Sequence, residues 1–202
     1  MAQDGGFFEQ QLVPGRECGD CNACCIYLTI NDSELQKVQG VRCHNALPDN
    51  RCTIYERRPQ TCRTYYCGWR LLKWVRTTMR PDISNVLVRL QHESKTSTSK
   101  HRFGVIFTLL NRAALKAEGL AESIAAGVAA DVPIYLNIPG PPGYTSGQAR
   151  INEAVADAVL LRDKPALLRI LRQAHSRGRH GNHRKIVLKP PVPGGGTAGT
   201  DA

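Results

Sequence analysis

The sequence predicts an α+β fold in three parts: a cysteine-rich module over residues 1–80, a small α/β region over 81–175 with three strands and two to three helices, and a disordered basic tail over 176–202. Three observations give this division. All eight cysteines of the 202-residue chain fall between Cys18 and Cys67. Clear period-two alternation of apolar residues over strand-length segments, the mark of half-buried strands, begins only after Arg80-Pro81-Asp82. From Arg169 to Lys189 the chain carries seven Lys and Arg, three His and no acidic residue.

Four of the cysteines sit within eight positions as Cys18-Gly19-Asp20-Cys21-Asn22-Ala23-Cys24-Cys25, and Cys43, Cys52, Cys62 and Cys67 follow. A C-x2-C step lets two thiolates meet one metal, because a tight turn brings the sulfurs together. An even cysteine count also suits disulfides, but the first residues show no secretory leader, with only Phe7 and Phe8 apolar before Glu9, so reduced thiols are expected. A lone redox C-x-x-C leaves six cysteines unexplained. All eight are therefore the candidate metal ligands of a metal-stabilised module. Zinc and iron-sulfur clusters both accept four thiolates, so ligand identity does not choose between them. Cys24 and Cys25, being adjacent, point in different directions and are expected to serve two metals or to bridge. Two four-cysteine sites, a zinc cluster with shared sulfurs, and one cubane plus a zinc all remain open. His44, the one histidine inside the module, is expected at the surface or beside a ligand.

The composite of Cys18, Cys21, Cys24 and Cys25, the isolated Cys43, and Cys52-Thr53-Ile54-Tyr55-Glu56-Arg57-Arg58-Pro59 closing on Cys62-Arg63 resembles the YkgJ-type cysteine-cluster family of zinc- or iron-chelating domains. The resemblance covers about residues 16 to 69. It implies a bound metal or cluster, and a flagellin lysine-N-methylase with this type of block implies that methyl transfer to a protein occurs within the superfamily.

The module is too short and polar to be held by apolar burial alone, so metal binding is expected to supply much of its folding free energy. No apolar run approaches the roughly 20 residues that span a bilayer, and a soluble, cytoplasmic protein without membrane contact is expected. The formal net charge of +10 is offset in part wherever thiolates bind metal. Within the module, Phe7, Phe8, Leu12 and Val13 are expected to rest on the metal core, residues 26–30 to form a short strand, and Asn31-Asp32-Ser33-Glu34 to open a helix carrying Leu35 and Val38 and ending at Gly40. Pro48-Asp49-Asn50 reads as a turn bringing Cys43 and Cys52 together. Pro59 opens a helix with Cys62, Arg63 and Tyr66, where Arg58 and Arg63 favour thiolates by charge. Trp69 and Trp74 read as packing residues.

In the second part, residues 85–91 and 103–110 form a hairpin across the polar 94–100 loop, a glycine-weakened helix spans 113–130, and 133–139 is a third strand, placed parallel by the crossover. The 139–147 loop after that strand is the candidate pocket, with Tyr144 and Thr145 as contacts. Helices follow over 151–161 and from Pro165 to about His175. The favoured reading is a metal-binding protein whose metal is structural and whose α/β half meets a protein partner or substrate. An iron-sulfur-dependent methyl transferase is the alternative, and nucleic-acid binding through the basic end comes third, because no aromatic residue interleaves with the cations.

Overall fold

The computed structural model of the chain describes residues 11–93 and 101–190. It is a mixed α+β fold with a four-stranded and a two-stranded sheet. Phe7, Phe8 and the 94–100 loop lie outside the described residues.

The cysteine stretch holds the shortest elements. Helix α1 is Ala23–Tyr27, and strands β1 (Ile30–Asn31) and β2 (Gln36–Lys37) pair antiparallel, Ile30 opposite Lys37. Both local expectations here are corrected. Residues 26–30 divide between helix and strand, and the helix expected from Asn31 is a hairpin. Asp32 turns the chain, its carboxylate accepting from the Glu34 amide at 3.0 Å and its own amide donating to the Leu35 carbonyl at 3.0 Å. An Asx turn and a helix N-cap use the same residue type, so local sequence does not separate them. The 48–50 turn is present, with the Asn50 amide on the Leu47 carbonyl at 3.0 Å. Helix α2 is only Gln60–Arg63, which leaves Tyr66 outside it, and α3 is Gly68–Leu71.

Helix α4 (Pro81–Ser84) ends at Asn85, whose φ of 58° turns the chain into the sheet. Strand β3 (Val86–His92) pairs antiparallel with β4 (Phe103–Leu109), as expected from their alternation. A 3-10 segment over 112–116 and helix α5 (Leu120–Ala129) replace the single helix expected over 113–130. The break is at Gly119, with φ of 88°, where a Cβ would also strike Arg76. Strand β5 (Ile134–Ile138) then runs parallel to β4, and a fourth strand, β6 (Gly147–Arg150), pairs antiparallel with β5. The sequence reading has three strands because Gly147-Gln148-Ala149-Arg150 is an edge strand, mostly exposed, with no apolar alternation.

Helix α6 is Asn152–Leu160, and α7 is Lys164–Arg179, capped by Asp163, which accepts from the Ala166 amide at 2.9 Å. One apolar core joins the sheet (Val86, Val88, Phe107, Ile134, Leu136) to α5, α6 and α7 through Ile124, Val155 and Leu171. Trp69, Val75 and Met79, from the segment grouped by sequence with the cysteine module, belong to this core. Trp69 is buried with its indole N–H on the Thr77 carbonyl at 2.9 Å, and Trp74 leans on Phe107, so both tryptophans pack. No helix among the described residues is long and apolar enough to cross a membrane.

The tail expected to be disordered from residue 176 is ordered as far as it is described. Helix α7 continues to Arg179, residues 183–186 lie against the 140–147 loop, with Tyr144 and Lys185 forming an antiparallel bridge, and the Lys189 carbonyl accepts from Gln36.

Candidate metal centre

Between Cys18 and Cys67 only Ala23, Leu35, Lys37, Cys43 and Pro59 are buried, and none of them belongs to the main core. What this stretch gathers instead is sulfur, and all eight thiols are free.

Local backbone bonds set the sulfurs in place. The Cys21 amide closes a turn on the Cys18 carbonyl at 2.9 Å, with Gly19 at a φ of 51° that favours glycine. Cys24 and Cys25 lie on α1, where neighbouring side chains diverge by about 100°. The Cys43 amide donates to the Cys25 carbonyl at 2.8 Å, Cys52 bridges to Ala46, Cys62 lies on α2 and Cys67 caps α3.

The charge interactions among the thiols divide them in two. Cys24 interacts with Cys18 and Cys21, Cys21 with Cys67, and Cys67 with Cys18. Cys62 interacts with Cys25, Cys43 and Cys52. These are electrostatic neighbours rather than coordination shells: Cys18, Cys21, Cys24 and Cys67 form an amino-terminal set and Cys25, Cys43, Cys52 and Cys62 the other, while Cys24 and Cys25 act on each other and both act on Lys37. The two meet at the adjacent pair on α1. There the Cys24 thiol donates to Cys25, which holds the Cys24 proton well above the ordinary range and brings Cys25 down to about 6.

Burial pushes Cys21 and Cys62 up to about 11 and raises Cys67 as well. The backbone N–H groups of Ala23 and Asp82 near Cys21, and of Arg70 and Trp69 near Cys67, oppose this and lower the two pKa values. Such donors favour the thiolate. Cations surround both sets. Arg70 Nη1 lies 3.9 Å from Cys18 Sγ, while Lys37, Arg58 and Arg42 lower the Cys25 pKa by charge. Arg63, expected to act on its neighbour Cys62, is exposed and bonds to Gln60 Oε1 at 3.0 Å, so Arg58 alone fulfils that expectation. His44 is exposed and meets only Asn45, at 3.1 Å.

Two residues at the site have no counterpart in the sequence reading. Lys37 is buried, 6% exposed, among Cys43, Cys25, Cys24 and Cys62. Once the hairpin is recognised, the alternation Leu35, Lys37 marks its inward side. Tyr65 Oη is buried without a hydrogen-bond partner among the described residues, and Cys67, Cys24 and Cys18 act on it. An orphaned hydroxyl beside thiols and eight free soft donors in one short stretch fit a thiolate-bound metal in chemistry. Among the described residues, no three Cys, His, Asp or Glu side chains are arranged to hold a metal ion as they stand.

The 139–147 loop is not an open pocket. Its Thr145 amide donates to the Arg184 carbonyl at 2.8 Å, Thr145 Oγ1 accepts from the Arg184 amide at 2.9 Å, and Gln39 donates to the Tyr144 carbonyl. The chain's own carboxyl-terminal segment and the cysteine stretch occupy it. Comparison with protein-family models, curated proteins and solved structures gives no match.

Proposed function

We propose that the chain is a metal-binding cysteine-cluster protein with two all-sulfur sites, Cys18/Cys21/Cys24/Cys67 and Cys25/Cys43/Cys52/Cys62, holding zinc or an iron-sulfur cluster. The metal is mainly structural and lets the module present the α/β half to a protein partner. One observation supports this reading: a stretch of fifty residues with almost no apolar core carries all eight cysteines, every one of them a free thiol. Apolar burial at about 25 cal/mol per Å² cannot offset the ordering entropy of so thin an interior, whereas a structural zinc contributes about 10–16 kcal/mol in small metal-held domains. Four thiolates on one ion leave no coordination position for a substrate, which favours a structural role over catalysis. The resemblance to the YkgJ-type family points the same way.

Elemental analysis and the visible spectrum of protein purified without oxygen test the proposal. Two zinc ions in a colourless sample, or iron with labile sulfide in a brown one, support it and choose the metal. Cys21→Ser and Cys62→Ser should each reduce bound metal and soluble yield, and His44→Ala should change neither. Metal-free, fully folded wild-type protein would sink the proposal.

A further inference from the structure

Lys164 to Pro190 holds eight of the chain's 27 Lys and Arg and none of its 17 Asp and Glu, so it carries nearly all of the net charge of +10. The structure turns that composition into a fixed surface. Helix α7 presents Arg169, Arg172 and Arg179 exposed, within a sector of about 80° at 100° per residue and over about 15 Å of helix axis. At its end the chain folds back and is tied down. The Ile186 amide bonds the Gly143 carbonyl at 2.8 Å, His183 Nδ1 lies 2.7 Å from the Thr145 carbonyl oxygen, and Gln36 Nε2 donates to the Lys189 carbonyl at 2.9 Å. Arg184, Lys185 and Lys189 are thereby held exposed beyond the helix. Acidic neighbours do not neutralise this face: Glu122 pairs with Lys164 at 2.6 Å, and Asp163 is engaged as the helix cap.

We infer that this face binds the sugar-phosphate backbone of a nucleic-acid duplex without reading its sequence. A line of fixed cations over about 15 Å faces about four phosphates of one strand at 3.4 Å of axis each. No Phe, Tyr or Trp lies on α7 among its arginines to stack on unpaired bases, which directs the helical stripe to a double helix, and Tyr144 stands beside Lys185 only at the far end of the face. A lipid surface is a poorer match, because Leu167 and Leu171 of α7 are buried in the core and Val187, between Lys185 and Lys189, is a single exposed apolar side chain rather than an insertable apolar side. The inference does not depend on the metal reading.

Fluorescence anisotropy of the full-length protein with 20-base-pair DNA and RNA duplexes of scrambled sequence, from 50 to 200 mM salt, tests it. Binding to duplex should be independent of sequence, with log affinity falling linearly against log salt. Arg169→Gln/Arg172→Gln/Arg179→Gln should weaken binding at least about tenfold and flatten the slope by about 2 to 3 units. The Arg→Lys triple variant should bind as wild type, and bound metal and thermal melting should be unchanged in both. Absence of duplex binding at 50 mM salt, or a glutamine variant that binds as wild type, overturns the inference. So does equal binding of poly-glutamate or of anionic lipid vesicles at matched charge.

Discussion

Lys37 Nζ donates to the Ile26 carbonyl at 3.1 Å and also to that of Leu28, which fixes a buried ammonium where α1 hands over to the hairpin. Burial alone lowers the Lys37 pKa, and Cys43, Cys25, Cys24 and Cys62 raise it back towards the charged form. The dependence is mutual. On the proposed metal reading, four thiolates on a divalent ion would carry two net negative charges, and Lys37 would offset one of them for an ion held through Cys25, Cys43 and Cys62. Lys37→Met keeps the stem and removes the charge, so metal affinity of the set with Cys25, Cys43 and Cys62 should fall about tenfold, and the amino-terminal set, which meets Lys37 through Cys24 alone, should change far less. Competition with a chromogenic chelator reads this as one weakened and one little-changed binding step, and two unchanged steps would refute the role.

Tyr65 gives a prediction whose sign depends on the metal. In metal-free protein its buried hydroxyl has no partner among the described residues, so Tyr65→Phe should stabilise by about 1 kcal/mol by removing an unsatisfied group. In metal-loaded protein the same hydroxyl is expected to donate to a thiolate of Cys67, Cys24 or Cys18, and its loss should shift the cobalt-substituted charge-transfer bands and weaken binding. Urea titrations with and without metal measure both. The same sign in both states would show that the hydroxyl does not serve the sulfurs.

How far the sequence reaches is decided by the range of the interaction. Strands β3 and β4 are legible because their runs of apolar and β-branched residues are buried, on both sides of the sheet over Val86–Val88 and 104–109, and the crossover makes β5 parallel. Edge strand β6 has no such run and is silent. Asp32 speaks ambiguously, since its carboxylate closes a turn as readily as it caps a helix. Clustering of eight cysteines is visible as composition, but their division into sets is not. That division requires Cys67, more than forty residues downstream, to return to Cys18 and Cys21, and Cys43 to bond the backbone of Cys25. The order of residues 181–190 is likewise invisible locally, because its hydrogen-bond partners are Gly143, Thr145 and Gln36.

Arg16 joins the cysteine stretch to the main core by a route that uses no metal. Its guanidinium, 7% exposed, donates to the carbonyls of Trp69 at 2.5 Å, Leu72 at 3.1 Å and Val75 at 2.6 Å, and lies 5.5 Å from the centre of the Trp69 ring. A planar fork reaches three carbonyls that an ammonium cannot match. Arg16→Met leaves those acceptors buried without a donor and should cost about 3 kcal/mol. Because its hydrogen bonds go to backbone carbonyls and Cys67 acts on it only by charge, most of the loss should persist in chelator-treated protein, as read from urea midpoints. A loss confined to the loaded form would place Arg16 in the metal site instead.

His175, on the buried side of α7, sets the acid limit of the α/β half. Burial lowers its pKa from the usual 6.5, and the charges of Arg179 on the same helix and Arg112 in the 3-10 segment act in the same direction. The fold therefore holds the neutral imidazole, and the unfolded chain binds the extra proton. Its contribution to stability is complete above about pH 6.5 and is lost as pH falls through the lower, folded pKa. His175→Leu removes the titrating group at similar volume, so its stability should decline less than that of wild type between pH 6.5 and 5. Urea melts followed at the β-sheet signal in chelator-treated protein isolate this from thiol protonation at the metal sites. Parallel decline of the two proteins would mean that acid acts elsewhere.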